Sequence, residues 1–475
     1  MENNNGDFRK RIINDYDKNI ALDKKDIRTE NVYSNNKVVS LVFISLLLDL
    51  LAFTMILPLL PSLLDYYDKE EGDKATLYSA LLNAVKRFQT MTGAPDRFAS
   101  VLFGGALGSM YSFLQFLTSP IVGSLSDAYG RKPLLFICLV GIALSHGLWR
   151  YASSFSLFVL ARFIGGLSKA NVSLSMAIVT DVSNEKNRAK GMALIGLAFS
   201  VGFILGPLAG AWFAKNNDHS SGMWGERPAQ YALFLSLANV ILVTFFIPET
   251  LAKEKRAPLS LSLSKGLDYV SPWHLVKFSA VKNLTEHQNK VLYKLGLIYF
   301  TYLFIYSGLE FTLTFLTHHT FKYTAMQQGK MFLVIGVIMS LLQGGAARRL
   351  GARGAVTAAR LALALTPLSF LCVALAAVPR PILMAPIGWL WAGLVLFALS
   401  TAFAVSCMTS MAAAQAPEES RGAVLGTVRS LGALARAAGP LIASTVYWCY
   451  GASVTYTIGA IILIIPAVML FRLRT

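Results

Sequence analysis

Six ionisable residues interrupt otherwise apolar stretches of this chain: Asp49, Arg162, Lys169, Glu310, Arg429 and Arg436. A charge held at the centre of a bilayer costs about 3 kcal/mol or more unless it faces protein or water, so each of these needs a partner or a task. Four cations against two acids leave an interior biased toward anions if all six face inward and stay charged. The chemistry they suit is recognition and transfer of a charged solute. Lys169 and Arg436 are candidate anchors for an anionic head, and the planar fork of an arginine can hold both oxygens of a carboxylate. Asp49 and Glu310 are candidates to exchange a proton or to pair with a cation between states. Arg162, Gly166, Lys169 and Ser173 recur on one helical stripe that a solute cavity would explain. Arg162 also has a structural reading, in which it bonds backbone carbonyls, and Arg429 lies near enough to a span end to snorkel. Tyr299, Tyr302, Tyr306 and Glu310 follow at i, i+3, i+7 and i+11. That polar-tipped aromatic face suits a planar amphipathic ligand, with Tyr302 and Tyr306 packing its apolar body, although helix packing alone can produce such a stripe.

The elements that must position these residues follow from composition. The chain has 475 residues, 55% hydrophobic and 15% charged, which excludes an ordinary soluble enzyme or a disordered scaffold. A helix needs about 20 apolar residues to cross a bilayer. By that measure there are twelve spans: 38–64, 100–124, 133–152, 155–181, 191–214, 229–248, 293–317, 327–346, 358–378, 384–411, 424–447 and 452–470. The expected architecture is therefore an all-α membrane protein with two six-helix bundles, 38–248 and 293–470. A charged central loop at 249–292 joins them, between a tail at 1–37, whose Asn, Asp and Lys predict disorder, and a short end at 471–475. A loop of about 35 residues is expected after the first span. Lys and Arg concentrate on the side that holds both ends, which predicts cytoplasmic termini and an unglycosylated sequon at Asn283.

Forty-three bases against 26 acids would suggest nucleic acid in a soluble chain, but here they lie between apolar runs and form no patch. Cys138, Cys372, Cys407 and Cys449 lie inside apolar stretches without metal or disulfide spacing. His146, His318 and His319 have no partner spacing and read as structural or interfacial. With no Walker-type loop, no H-E-x-x-H and no nucleophile elbow, no enzyme activity, cofactor or metal is expected. The expected partners are a small organic solute and the lipid bilayer, and no oligomer is required to close a cavity.

Three local signals refine this picture. Between spans two and three runs Gly123-Ser-Leu-Ser-Asp127-Ala-Tyr-Gly130-Arg131-Lys-Pro133, a tight charged turn whose glycines allow close approach. In span five, Gly202, Gly206 and Gly210 stand four apart for close helix contact, and Pro207 invites a kink. Span one carries Asp49 followed by Pro58 and Pro61. The turn resembles motif A of the major facilitator superfamily, the segment around Arg162 its motif B, and the Gly202–Ala211 string its antiporter motif C. Ala128, Ala193 and Ala211 depart from the usual residues, and a degenerate copy of the turn, with Arg348 in place of the acid, follows span eight. The first span and the strings "GGLSKANVSLS", "FTYLFIYSGLE" and "RSLGALARAAGP" are similar to the drug/proton antiporter group, including its tetracycline transporters. That resemblance implies two pseudo-symmetric bundles and a cytoplasmic latch, with Asp127 near the start of span eleven and Arg131 near Asp181. It also implies an organic-anion carrier in the plasma membrane or the nuclear envelope, possible proton coupling included. The rival readings are an organic cation or zwitterion carrier, and a scaffold of this fold that no longer transports.

Overall fold

With no water in a bilayer core to satisfy backbone groups, segments this apolar close their hydrogen bonds internally as helices. The computed structural model describes residues 36–473 except 93–98, 184, 216–224, 254–255, 257–265, 267–269, 279–280, 282–283, 346–351, 379–382 and 417–420. The tail 1–35, the sequon residue Asn283 and the loop around Arg348 lie outside the described residues. The first bundle contains α1 (Asn36–Thr54), α2 (Leu60–Glu71), α3 (Leu77–Thr92), α4 (Ala99–Tyr129), α5 (Arg131–Arg150), α6 (Phe155–Leu167), α7 (Asn171–Val182), α8 (Glu185–Lys215) and α9 (Glu226–Phe246). After the short α10 (Pro272–Lys277), the second bundle contains α11 (Glu286–His319), α12 (Ala325–Gly345), α13 (Ala352–Ala376), α14 (Pro386–Ala414), α15 (Arg421–Tyr450) and α16 (Ala452–Arg472).

Eleven spans among the described residues are long and apolar enough to cross a membrane, α6 and α7 together forming one of them. The twelfth membrane helix is α15, whose 30 residues are ample for a crossing. Arg429, Arg436 and many small residues dilute its apolar content. It can afford this because it packs between α4 and α11.

Two membrane helices of the first bundle are broken. Residues 55–59 form a turn between α1 and α2, where Leu57 N and Leu59 N each bond three residues back, to Thr54 O and Ile56 O. Pro58 and Pro61 lack backbone donors and cannot continue a regular ladder. The second break, Ser168–Ala170, separates α6 from α7 and contains Lys169, with Lys169 N bonding Gly166 O at 3.3 Å. Neither α8 at Pro207 nor α15 at Pro440 is interrupted.

The segment after the first span is not a long loop. α2 extends it to Glu71, burying Leu60, Leu63, Leu64 and Tyr67 at helical spacing, and α3 follows. Tyr67 OH donates to Ala152 O at 2.9 Å, and Glu71 Oε1 accepts from Phe155 N at 2.7 Å, at the start of α6. The acids and lysines on the exposed faces of these helices make the stretch look loop-like in sequence.

Successive spans alternate in direction, so the α4–α5 turn, Asp181 and Glu249 share one end of the molecule, here the near face. The α2–α3 turn and the end of α11 lie at the far face. The bundles meet through α4 against α15 and α8 against α12. Ser109 Oγ of α4 accepts from Leu441 N of α15 at 2.9 Å, just beyond Pro440. A side chain at Gly104 would run into Phe315, and one at Gly105 into Ser444, so glycine lets these helices touch.

Candidate functional site

The charged residues of the first bundle meet where its two broken helices face each other. Lys169, in the α6–α7 break, donates from Nζ to Asp49 Oδ2 of α1 at 2.7 Å, and both side chains are shut off from solvent. The same ammonium lies 4.6 Å from the centre of the Phe53 ring, one helical turn beyond Asp49. Asp49 Oδ1 is buried with no hydrogen-bond partner, so the carboxylate has one oxygen in hand. Gln115 Nε2 donates to Lys169 O at 3.5 Å, tying α4 to the break.

Arg162 is buried one turn before Gly166, and its guanidinium lies 5.4 Å from the Tyr111 ring and 5.9 Å from those of Trp149 and Phe158. An aromatic cage of this kind holds a cation through the ring quadrupoles. Tyr111 also packs on Phe53 at 5.4 Å, so rings link Arg162 to the Asp49–Lys169 pair. Ser173 is half-buried on α7, one turn beyond Lys169.

In the second bundle, the aromatic stripe turns inward. Tyr299, Tyr302 and Tyr306 are all buried. Tyr302 stacks on Tyr306 at 5.4 Å, and Tyr306 lies parallel to Phe397 of α14 at 5.3 Å. Tyr306 OH donates to Glu310 Oε1 at 3.2 Å and lies the same distance from Thr401 Oγ1. The tyrosines thus form a wall behind Glu310, which is the member of the stripe that reaches solvent. Arg436 and Arg429 of α15 are also solvent-accessible, and Arg436 lies within electrostatic range of Glu310 and Tyr299. Among the described residues, the Arg436 guanidinium makes no hydrogen bond or ion pair. Arg429 contacts Met176 Sδ of α7, so the bundles also touch toward the near face.

At the near face, Arg131 organises the α4–α5 turn. Its Nε donates to Asp181 Oδ2 at 2.9 Å, and its Nη1 reaches Ser126 Oγ at 2.6 Å and Asp127 Oδ1 at 2.5 Å. Asp127 is half exposed and spends its ion pair on Arg131 in the same turn. The expected neighbour of Asp127, the start of span eleven, is the first turn of α15 from Arg421, and the ion pair that Asp127 makes among the described residues is with Arg131 instead. Glu249 Oε1 and Oε2 accept the backbone N–H groups of Arg131 and Lys132 at 2.9 and 3.2 Å, placing an anion at the N-terminus of α5. Gly130 has φ 109°, and a side chain there would collide with the Glu249 carboxylate. Gly123, in contrast, faces open space.

Gly202, Gly206 and Gly210 of α8 line up against Leu50, Thr54 and Met55, so their stripe seats the broken end of α1. Thr54 Oγ1 donates to Leu50 O at 2.8 Å and lies 2.9 Å from Gly202 O across the helix pair. Pro207 O faces Gly329 of α12, on the bundle interface.

At the far face, His318 Nε2 of α11 lies 2.8 Å from Asp65 Oδ2 of α2, and His319 Nε2 lies 3.3 Å from Ser100 Oγ of α4. Burial pushes the Asp65 carboxyl up, but the His318 hydrogen bond and the His319 and His318 charges outweigh it and hold it below the ordinary carboxylate range. The structure therefore joins Asp49 to Lys169 in an ion pair and places Glu310 within electrostatic range of Arg436 without a direct contact, each within one bundle. Glu249 and Asp65 are functional neighbours that the sequence does not mark as site residues: Glu249 stands in the Pro248-Glu249-Thr250 ending of the sixth span, and Asp65 carries no local signal.

Comparison with known proteins is consistent across sequence and structure. Residues 42–440 match the family model described as Major Facilitator Superfamily. The chain is 42% identical over 450 residues to human major facilitator superfamily domain-containing protein 10, covering 92% of this chain and 93% of the relative. It is 23% identical to the class C tetracycline resistance protein of Escherichia coli, over 72% of this chain and 79% of the relative. The crystal structure of the human organic anion transporter MFSD10 (TETRAN) matches with a TM-score of 0.74 at 42% identity, covering 92% of this chain and 99% of that one. The nucleoside transporter NupG matches at 0.61 with 14% identity over 92% and 100% of the two chains, a likeness of fold alone.

Proposed function

The chain belongs to the Major Facilitator Superfamily and is a multi-pass membrane transporter, and from that premise we propose that it carries amphipathic organic anions by alternating access. The observation that carries this reading is the state of the cations. Lys169 is neutralised by Asp49 and Arg162 is enclosed by rings, whereas Arg436 is solvent-accessible in mid-helix without a hydrogen-bonding or ionic partner among the described residues. A carboxylate or similar anion would supply that partner. The name of the human relative, an organic anion transporter, supports the same class of solute.

In this reading Arg436 anchors the anionic head, and Lys169 joins it when Asp49 is protonated. Glu310, held by Tyr306, exchanges the other proton, and the buried Tyr302–Tyr306 stack fixes the helix that carries it. The near face, with its basic turn, is cytoplasmic by the positive-inside rule, and both termini lie on that side. The family resemblance favours the plasma membrane, with the nuclear envelope or another internal membrane as the alternative. The proposed division is two bundles at 38–248 and 293–470 around a cytoplasmic loop, with α11 reaching into that loop as far as Glu286.

The test is uptake of labelled amphipathic anions, cations and zwitterions into proteoliposomes, with and without an imposed proton gradient. Anion-selective flux that falls at least about 10-fold in Arg436→Ala, in protein shown to be folded and reconstituted, is the expected result. Equal flux in the variant removes the anchor. A second reading rests on Glu310, whose accessible carboxylate near Arg436 could seat a zwitterion. Flux confined to zwitterions, lost in both Arg436→Ala and Glu310→Gln, would select it.

A further inference from the structure

Three side chains at the far face have the chemistry of a metal site, and they come from both bundles. Asp65 belongs to α2, and His318 and His319 end α11. One ligand atom from each lies within 4.8 Å of the other two. On a tetrahedral zinc ion with bonds of about 2.0–2.2 Å, neighbouring ligand atoms stand about 3.3–3.6 Å apart. Asp65 Oδ2 and His318 Nε2 are already at 2.8 Å, so adjustments of about an ångström would complete the set.

We propose that Asp65, His318 and His319 form a binding site for a borderline divalent transition ion, typified by zinc, which fastens the two bundles together at the far face. Two imidazoles and one carboxylate are the donors such an ion takes, whereas magnesium and calcium require mostly oxygen. All three side chains are half-buried, within reach of solvent but not fully hydrated. Ser100 Oγ, beside His319 Nε2, is placed to orient that ring or to hold a water in the fourth position. Lys322 lies within electrostatic range of His319 and opposes a bound cation.

The consequence follows from where the ligands come from. A carrier that opens its far face must part α2 from α11, and an ion shared between them is lost when they separate. Binding therefore favours the far-face-closed state, and the closed state in turn binds the ion more tightly. The site would act as an inhibitory clamp, distinct from the solute-binding groups.

The test uses untagged full-length protein in lipid nanodiscs titrated with zinc chloride, with bound metal measured after equilibrium dialysis. The expected result is one zinc per chain, weakened at least about 10-fold by His318→Gln, by His319→Gln and by Asp65→Asn, and unchanged in a His274→Gln/His287→Gln control. No zinc bound by the wild type, or zinc retained in a folded His318→Gln/His319→Gln protein, overturns the site. If the histidine variants do not fold, cobalt(II) added to the wild type decides: visible bands of a four-coordinate nitrogen and oxygen site support it, and their absence overturns it. The clamp is read separately, as slower solute exchange in zinc that is restored by chelator; binding without slowing would overturn the clamp and leave the site.

Discussion

Lys169 Nζ and Asp49 Oδ2 are 2.7 Å apart in a place closed to solvent, although 120 residues separate them in the chain. Lys169 sits in the α6–α7 break and Asp49 within α1, about a turn and a half before its break, so the pair joins the two interrupted helices of the first bundle. A buried ion pair is a weak source of stability, since desolvation offsets most of the attraction, but removing one partner strands a charge.

Asp49→Asn and Lys169→Met should therefore each lower stability by about 3–5 kcal/mol, while the double variant should return to near wild-type stability. Thermal unfolding in detergent followed by size exclusion measures the cycle. The double variant also separates fold from transport: if Asp49 takes part in proton coupling, the refolded protein should move solute without responding to a proton gradient. Additive losses of stability would show that the two residues do not act as a pair.

The glycines of the two motifs differ in what they do, and alanine substitution distinguishes them. A side chain at Gly210 meets the backbone carbonyl of Met55, which cannot swing aside, so Gly210→Ala should cost about 1–3 kcal/mol. Gly123 lies within α4 with nothing near its missing side chain, and Gly123→Ala should be neutral or stabilising by up to about 1 kcal/mol. Melting temperatures of the two variants, measured side by side, check both. A stable Gly210→Ala protein would mean that α1 and α8 can slide apart without loss.

Much of this architecture is legible in the sequence because a bilayer demands long apolar runs and tolerates few charges. That constraint marks the twelve spans and the buried charges, and Pro58 with Pro61 marks the α1–α2 break. The α6–α7 break carries no proline, and its glycines, Gly165 and Gly166, precede it, so nothing local announces that Lys169 sits in a turn. Asp49–Lys169 and Asp65–His318 depend on contacts 120 and 253 residues apart, which spacing along one helix cannot reveal. The tyrosine periodicity is equally compatible with a cavity lining or a wall, and burial of Tyr302 and Tyr306 makes it a wall in this conformation. Beyond residue 64, the rest of α2 and all of α3 look like loop because their outer faces are polar, although Tyr67 and Tyr78 are buried.

At the near face, the turn depends on both Gly130 and Glu249. Gly130→Ala places a side chain against the Glu249 carboxylate in a backbone conformation that favours glycine, at a cost of about 1–3 kcal/mol. Glu249→Gln keeps an acceptor for the α5 N-terminus but removes the charge, which for an exposed group is worth about 0.5–1 kcal/mol. The expected signature is that Gly130→Ala loses more stability than Glu249→Gln, and that a Gly130→Ala/Glu249→Ala protein recovers part of the loss by relieving the collision. No recovery in the double variant would locate the strain in the backbone or in the Arg256 guanidinium, the next group a side chain there would meet.

Arg162 offers the sharpest separation of structure from solute binding. Its guanidinium is surrounded by the rings of Tyr111, Trp149 and Phe158, and its Nε is buried without a hydrogen-bond partner. A desolvated cation among rings gains about 2 kcal/mol or more, and lysine recovers only part of it because its compact ammonium cannot lie flat against a ring. Arg162→Gln should then lower the melting temperature, with Arg162→Lys intermediate, while the KM for the transported solute stays within about 2-fold of wild type, as expected for a group that makes no contact with it. If instead KM rises at least about 10-fold while the melting temperature holds, the cage opens during transport and Arg162 meets the solute directly.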